Sequence, residues 1–309
     1  MPELPEVETT VRGINKVMDK LSITDVWTNY SSEKYLGKNC IKNPEYFKIF
    51  KEECTGMKFI QARRMAKNIL IDIEGRKTIH IHMKMTGHIL YGQYRKTTKS
   101  EYEKTKELWT ATNDILLESP FNRFIHLVFT LSNGKHLVLS DMRKFAQVSL
   151  ISNQGLDGVI SLAQKLGPEP LEKGFTAGIL KTQLQKRSRW MIKKALLDQE
   201  IISGIGNIYG DEILWQAKIS PERMVRDVTL KEFLLIHKAI QDILPKSIAV
   251  GGDSMSDYRN IYGEKGKFQN FHKAYRQTGK LCQRKSCAGI IKRITIAQRS
   301  AHFCQTCQN

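Results

Sequence analysis

The sequence predicts an α+β protein: an N-terminal β-sandwich that starts with a helix, then a helical part that ends in a small β-hairpin bearing cysteines. Three observations predict it. Up to about residue 152, short segments rich in β-branched and aromatic residues alternate with Gly, Asn and Ser. Many short strands joined by tight turns read as a sandwich or a flattened barrel. From about Gly158 the apolar residues recur with a helical period instead. The tail from Ala274 is small and basic and holds four of the six cysteines. At 309 residues there is chain enough for about two domains with cores of their own. The expected division is 1–152, 153–271 and 272–309.

The elements follow in order. Pro5 suits the first turn of a helix, and Glu6 and Glu8 suit its positive end. Val7, Val11, Ile14, Met18 and Leu21 then form one apolar stripe. Strands are expected at 23–27, 59–63, 69–73, 78–85, 126–131, 136–139 and 147–151. Asn133-Gly134 between two of them is a hairpin signal. The stretch 93–121 is polar and Lys/Thr-rich and reads as a long insertion or mobile loop. Helices are expected at 161–166, 176–184, 190–199, 208–217 and 230–249, after which Gly251-Gly252 opens a loop that runs to about residue 271.

Charge narrows the partner. There are 49 basic and 31 acidic residues, a net of +18. Residues 259–309 alone carry 11 Lys or Arg against the single acid Glu264. So basic a surface points to a polyanion, most simply nucleic acid. A membrane surface fits less well, because no long basic amphipathic helix is evident. The acidic start is unlike a signal peptide, and no run approaches the ~18 apolar residues of a spanning helix. The expectation is a soluble intracellular protein.

Four stretches carry chemistry. The first is Met1-Pro-Glu-Leu-Pro-Glu-Val-Glu. Removal of Met1, which a small second residue favours, leaves Pro2 as a secondary amine beside the Glu3 carboxylate. An α-amino group titrates near ~7.7–8.0, so part of it is free base at neutral pH. Such amines attack aldehyde-like carbons, and a secondary amine gives a permanently cationic iminium, an electron sink for eliminations. The second is Cys282-x4-Cys287-x16-Cys304-x2-Cys307. Two close pairs separated by a hairpin-sized spacer match a closed tetrahedral zinc site. The metal would then supply the folding energy of a tail too small to bury much core. The intervening stretch reads as two strands with Lys292, Arg293 and Arg299 exposed.

The third is Gly204-Ile-Gly-Asn-Ile-Tyr209, where a glycine turn feeds a helix that Asn207 can cap. Free amides at such an end bind anions, and plain helix packing explains the pattern equally well. The fourth comprises the cationic strand at Arg63, Arg64 and Lys67, the alternating stretch Ile79–Gly87, and Arg143-Lys144-Phe145. His80 and His82 read as exposed strand residues rather than metal ligands. Met85, beside a Thr-Gly turn, suits an apolar wedge.

Taken together, these segments resemble the formamidopyrimidine-DNA glycosylase/endonuclease VIII family. The resemblance rests on Pro2–Thr10, Lys67, His82–Gly87, Asp141–Phe145, Leu166–Leu171, Ile192–Gln199, Gly204–Tyr209, Ile219–Arg223 and the tail around Arg299 and Phe303–Gln308. It implies a helix–two-turn–helix motif, a zinc finger and double-stranded DNA with oxidised bases or abasic sites as partner of a monomeric enzyme. It further implies Pro2 as nucleophile, Glu3 as the acid that helps open the sugar, and Lys67 and Arg299 as proton donors for β- and δ-elimination. Asn207, Lys67, Arg299 and Arg189 would contact DNA, with Met85, Arg143 and Phe145 filling the gap left by a flipped nucleotide. The opening residues and this Met/Arg/Phe set resemble the branch that removes oxidised purines. The Cys-x4-Cys pair is wider than the family's usual Cys-x2-Cys.

Overall fold

The computed structural model describes every residue except 102–103, 153–156 and 256. The chain divides into two compact units. Unit 1 comprises residues 1–2, 6–160 and 251–266, and unit 2 comprises 3–5, 161–250 and 267–309. The α+β expectation holds in both.

Unit 1 is a sandwich of two antiparallel four-stranded sheets. In chain order its strands are β1 (Ile23–Thr28), β2 (Phe59–Met65), β3 (Asn68–Ile73), β4 (Lys77–His82), β5 (His88–Gly92), β6 (Tyr94–Glu101), β7 (Lys104–Ala111), β8 (Ile125–Leu131), β9 (His136–Ser140) and β10 (Gln147–Ser152). One sheet runs β1-β8-β9-β5, the other β10-β4-β3-β2. Alternate side chains fill the space between them. Leu127, Phe129 and Leu131 from one sheet meet Ile69, Ile71 and Ile73 from the other. Helix α1 (Leu4–Met18) buries its Val7, Val11, Ile14 and Met18 stripe in the same core. The Asn133-Gly134 turn is made with Gly134 at φ 76.

Four readings of unit 1 change. Residues 44–54 form helix α2 (Pro44–Cys54), capped by the Asn43 side chain on the Glu45 amide. The Asn-Pro start and the i, i+4 pair Phe50 and Cys54 were the available signals. The stretch 93–121 is not a plain loop, since β6 and β7 pair as an antiparallel hairpin. Tyr94 and Trp109 at its base pack on the outer face of the first sheet, over Leu90, Val128 and Val138. Lys, Thr, Glu and Ser dominate the sequence between Tyr94 and Leu108, so the hairpin reads as polar; residues 102–103 lie outside the described residues. The expected strand 78–85 stops at His82, because a tight turn holds the Gly87 amide on the Met83 carbonyl. His80 and His82 are half-buried rather than exposed. Burial pulls their imidazoles down to about 4 and about 3.

Unit 2 contains α3 (Asp157–Gln164, which begins in unit 1), α4 (Ala177–Gln185), α5 (Ile192–Leu196), α6 (Asn207–Ala217), α7 (Leu230–Ala249) and the hairpin β11 (Ile291–Ile296) to β12 (Arg299–Cys304). Helix α7 opens with a capping box between Thr229 and Glu232. Helix α5 is shorter than its apolar pattern because Asp198 and Gln199 are drawn into the turns that follow. The Asp198 carbonyl accepts from the Ile201 and Ile202 amides, and the Gln199 side chain bridges Ile205 and Gly204. Two successive turns thus join α5 to α6. Among the described residues, no helix is long and apolar enough to cross a membrane.

Candidate active site and nucleic-acid interface

The N-terminal residues are fixed by the glycine turn. The Leu4 amide donates to the Gly204 carbonyl at 3.0 Å, and the Glu3 carboxylate accepts from the Ile208 amide at 3.0 Å and the Tyr209 amide at 3.4 Å. The anion that the free end of α6 takes is therefore Glu3, 2% exposed. Both glycines are needed for this. A Cβ on Gly206 would lie 2.3 Å from Glu3 Cδ, and one on Gly204, at φ +85, would lie 2.7 Å from Leu4 Cδ1. The expectation that Asn207 caps α6 is corrected: Gly206 is the cap, and Asn207 is the first helical residue. Its side chain instead donates to Ser300 Oγ at 3.1 Å, tying the helix to the residue after Arg299.

Beneath this end lies a buried charge network that the sequence reading missed. Lys193 pairs with Asp211 and also donates to the Asn207 carbonyl at 3.2 Å. His302 Nδ1 is 2.8 Å from the other Asp211 oxygen. Burial draws the Lys193 ammonium below the ordinary lysine range, against the pull of Asp211. A lysine sharing the α5 stripe with Ile192, Ala195 and Leu196 was the one available signal.

Arg299 is exposed and follows a two-residue turn in which Ala297 (φ 47) and Gln298 (φ 63) are both left-handed without being glycine. It lines a cavity of about 380 Å³ with Arg187, Trp190, Lys194 and Ala297. Arg189 is exposed outside that lining. Its neighbour Arg187 is committed to Asp198 and Glu200.

In unit 1, Lys67 sits in the tight turn between β2 and β3, after Ala66 at φ 53. Non-glycine residues held left-handed store strain of about 1–3 kcal/mol and concentrate at functional sites. Lys67 itself is buried, and its charge helps to depress the His82 imidazole. Pro2 is buried, and Met1 ahead of it is exposed.

The structure also brings Met85, Arg143 and Phe145 together. Met85 and Phe145 are 43% and 46% exposed. The Arg143 guanidinium lies 3.2 Å from Met85 Sδ and 4.5 Å from the centre of the Phe145 ring. A cation thus bridges two exposed apolar side chains carried by neighbouring turns.

The four tail cysteines converge. All their sulfurs lie within 4.8 Å of one another, with Cys282–Cys307 at 3.8 Å and Cys287–Cys304 at 3.7 Å. A tetrahedron with metal–sulfur bonds of about 2.3 Å has edges of about 3.8 Å, the separation found in those two pairs, so the cluster suits one zinc ion. Trp215 Nε1 donates to Cys282 Sγ at 3.4 Å. Arg284, inside the widened first pair, donates to the Trp215 carbonyl and stacks 4.4 Å over that indole. Arg284, one of the four residues between Cys282 and Cys287, therefore fastens the zinc hairpin to the C-terminal end of α6.

Three family models follow this organisation: the formamidopyrimidine-DNA glycosylase N-terminal domain over residues 1–148, its H2TH domain over 166–259, and the zinc finger found in FPG and IleRS over 279–309. The class is a DNA glycosylase with one structural zinc ion, held by Cys282, Cys287, Cys304 and Cys307. Relatives agree over the full length. Formamidopyrimidine-DNA glycosylases of Pelotomaculum thermopropionicum and Herpetosiphon aurantiacus are 35% and 34% identical, covering 100% of this chain and 99% and 100% of theirs. Lactococcus lactis Fpg in complex with DNA containing an abasic site is similar, with a TM-score of 0.79, 31% identity and 99% of each chain covered. A mutant of the same protein with Fapy-dG DNA gives 0.80, 31% and 100% of each chain. MutM with DNA containing carbocyclic 8-oxo-G gives 0.79, 31% and 100% of each. The chain belongs to the formamidopyrimidine-DNA glycosylase family.

Proposed function

We propose that this chain is a bifunctional glycosylase and abasic-site lyase that excises oxidised purines, 8-oxoguanine and formamidopyrimidines, from double-stranded DNA. The observation that carries the proposal is the seating of Glu3 on the α6 amides. It fixes the backbone one residue from Pro2, so that an amine exposed by loss of Met1 has a defined position and a carboxylate neighbour. Pro2 nitrogen attacks the sugar C1′, and the C1′–base bond breaks with its electron pair leaving on the base. Glu3 protonates the ring oxygen as the sugar opens. The resulting iminium acidifies the C2′ proton. Loss of that proton expels the 3′ phosphate, assisted by Lys67, and a second elimination expels the 5′ phosphate, assisted by Arg299.

Extrusion of the base costs a few kcal/mol of unstacking, least for a damaged pair. Met85, Arg143 and Phe145 offset this by occupying the gap, while Asn207, Lys67, Arg299 and Arg189 hold phosphates. The relatives' names, the lesions in the solved complexes and the basic charge all support DNA as partner. The zinc ion supplies folding energy and takes no part in the chemistry.

Borohydride trapping tests the reading. Wild-type protein lacking Met1, as verified by mass, is expected to form a covalent complex with duplex DNA containing 8-oxoguanine. Absence of any complex with oxidised or abasic DNA removes the enzyme reading. Excision and trapping by Pro2→Gly at the wild-type rate would show that Pro2 is not the nucleophile.

A further inference from the structure

Behind the exposed Met85, Arg143 and Phe145 lies a buried polar framework to which the proposed chemistry gives no role. The Asp141 side chain is 0% exposed. Its Oδ1 accepts from Thr86 Oγ1, and its Oδ2 accepts from the Ala146 amide at 2.7 Å and from Tyr30 Oη at 3.2 Å. Thr86 Oγ1 in turn accepts from the Arg143 amide at 3.1 Å. One carboxylate thus joins the turn that carries Met85 to the turn that carries Arg143 and Phe145. Lys42, also buried, donates from Nζ to the Lys144 carbonyl at 2.7 Å, with its ammonium 5.2 Å from the ring centres of Tyr30 and Tyr35. Each turn also contains a lysine in the left-handed region, Lys84 and Lys144, both at φ 56. Such turns persist only where their surroundings over-determine them.

We propose that Asp141 and Lys42 are positioning residues that hold Met85, Arg143 and Phe145 rigid as one insertion tip. The proposal rests on the reading of that trio as the group that fills the gap in the DNA. A floppy tip would lose its ordering entropy on entering the stack, whereas a preordered tip has lost it in folding. Asp141→Asn keeps the shape but replaces one acceptor by a donor that faces an N–H or O–H. Lys42→Met keeps the length but withdraws the donor from the Lys144 carbonyl.

The test combines two substrates and an optical probe. Each variant is expected to lose about tenfold in excision of 8-oxoguanine from duplex DNA, the effect of one lost charge-assisted hydrogen bond. Strand cleavage at an abasic site in single-stranded DNA, where there is no stack to enter, is expected to stay at the wild-type rate. With 2-aminopurine placed opposite a tetrahydrofuran abasic analogue, the fluorescence rise on binding is expected to shrink in both variants. Equal loss on duplex and single strand would mark a general folding defect and overturn the proposal. So would wild-type excision and fluorescence in either variant. A wild-type protein inert on both substrates would sink the enzymatic reading, yet the 2-aminopurine signal would still decide whether these residues position the tip.

Discussion

The two units solve the same packing problem with different materials. Between its sheets and helix unit 1 packs Ile, Leu, Val and Phe, and buried charges such as Asp141, Lys42 and Lys67 stand in turns and loops outside that layer. Unit 2 also buries an apolar cluster, but its central helix α6 is surrounded by buried charge. Glu3 sits on its first amides, and Asp211 holds Lys193 and His302. Glu212 accepts from the Lys273, Ala274 and Tyr275 amides, and Trp215 reaches the zinc ligand Cys282. Non-directional burial suffices to hold a sandwich together. A small basic tail cannot bury enough area, so it is tied to α6 by directional bonds and a metal.

The contrast can be broken from the largest effect downward. Zinc removal should act on unit 2 first, since structural zinc sites contribute about 10–16 kcal/mol in small fingers. Cys304→Ser is expected to lose the single bound zinc and all DNA affinity while the far-UV signal of the sandwich remains. One zinc per chain and unchanged binding in that variant would show that the metal does not hold the tail. Asp211→Ala leaves Lys193 buried without its counter-charge, which costs about 3–5 kcal/mol. The double change Lys193→Met with Asp211→Leu should recover most of it, and a denaturant titration in which the double variant is no more stable than the single one would count against the network.

Next comes Gly206→Ala. Displacing the Glu3 carboxylate is expected to cost about 2–3 kcal/mol, or about a hundredfold in excision rate. Wild-type excision by this variant would mean that Glu3 need not rest on α6. The last effect, the smallest per pH unit, belongs to unit 1. Burial depresses His80, His82 and His126 to about 4, about 3 and about 4. Their folded forms are neutral, so the stability they contribute is complete above about pH 6.5 and is lost as pH falls toward 4. Each adds a slope of up to about 1.4 kcal/mol per pH unit. His80→Gln should flatten that slope in chemical denaturation between pH 6.5 and 4; an unchanged slope would exclude His80 as a contributor.

How much was legible follows the same division. The apolar periods gave α1, the sandwich strands and α7, because burial of a face imposes its spacing on the chain. The cysteine spacing gave the zinc site, since ligands of one small ion must be close in sequence or brought close by a hairpin. Helix α2, with Tyr46, Phe47, Phe50 and Cys54 on the core, was passed over, and the β6–β7 hairpin was read as a loop because its few apolar residues pack on partners distant in sequence. The glycine turn was ambiguous for a related reason: the anion it receives, Glu3, lies two hundred residues earlier.

By itself, then, the sequence determined the fold class, the zinc ligands and the candidate chemistry of Pro2, properties carried by composition and short-range spacing. Only the tertiary structure decided that the Glu3 carboxylate accepts from the first amides of α6, that Lys193, Asp211 and His302 form one network, and that Asp141 and Lys42 stand behind the exposed Met, Arg and Phe. These are pairings of polar groups across long stretches of chain. No local period encodes them, because a hydrogen bond requires only that two atoms meet, whatever the chain between them.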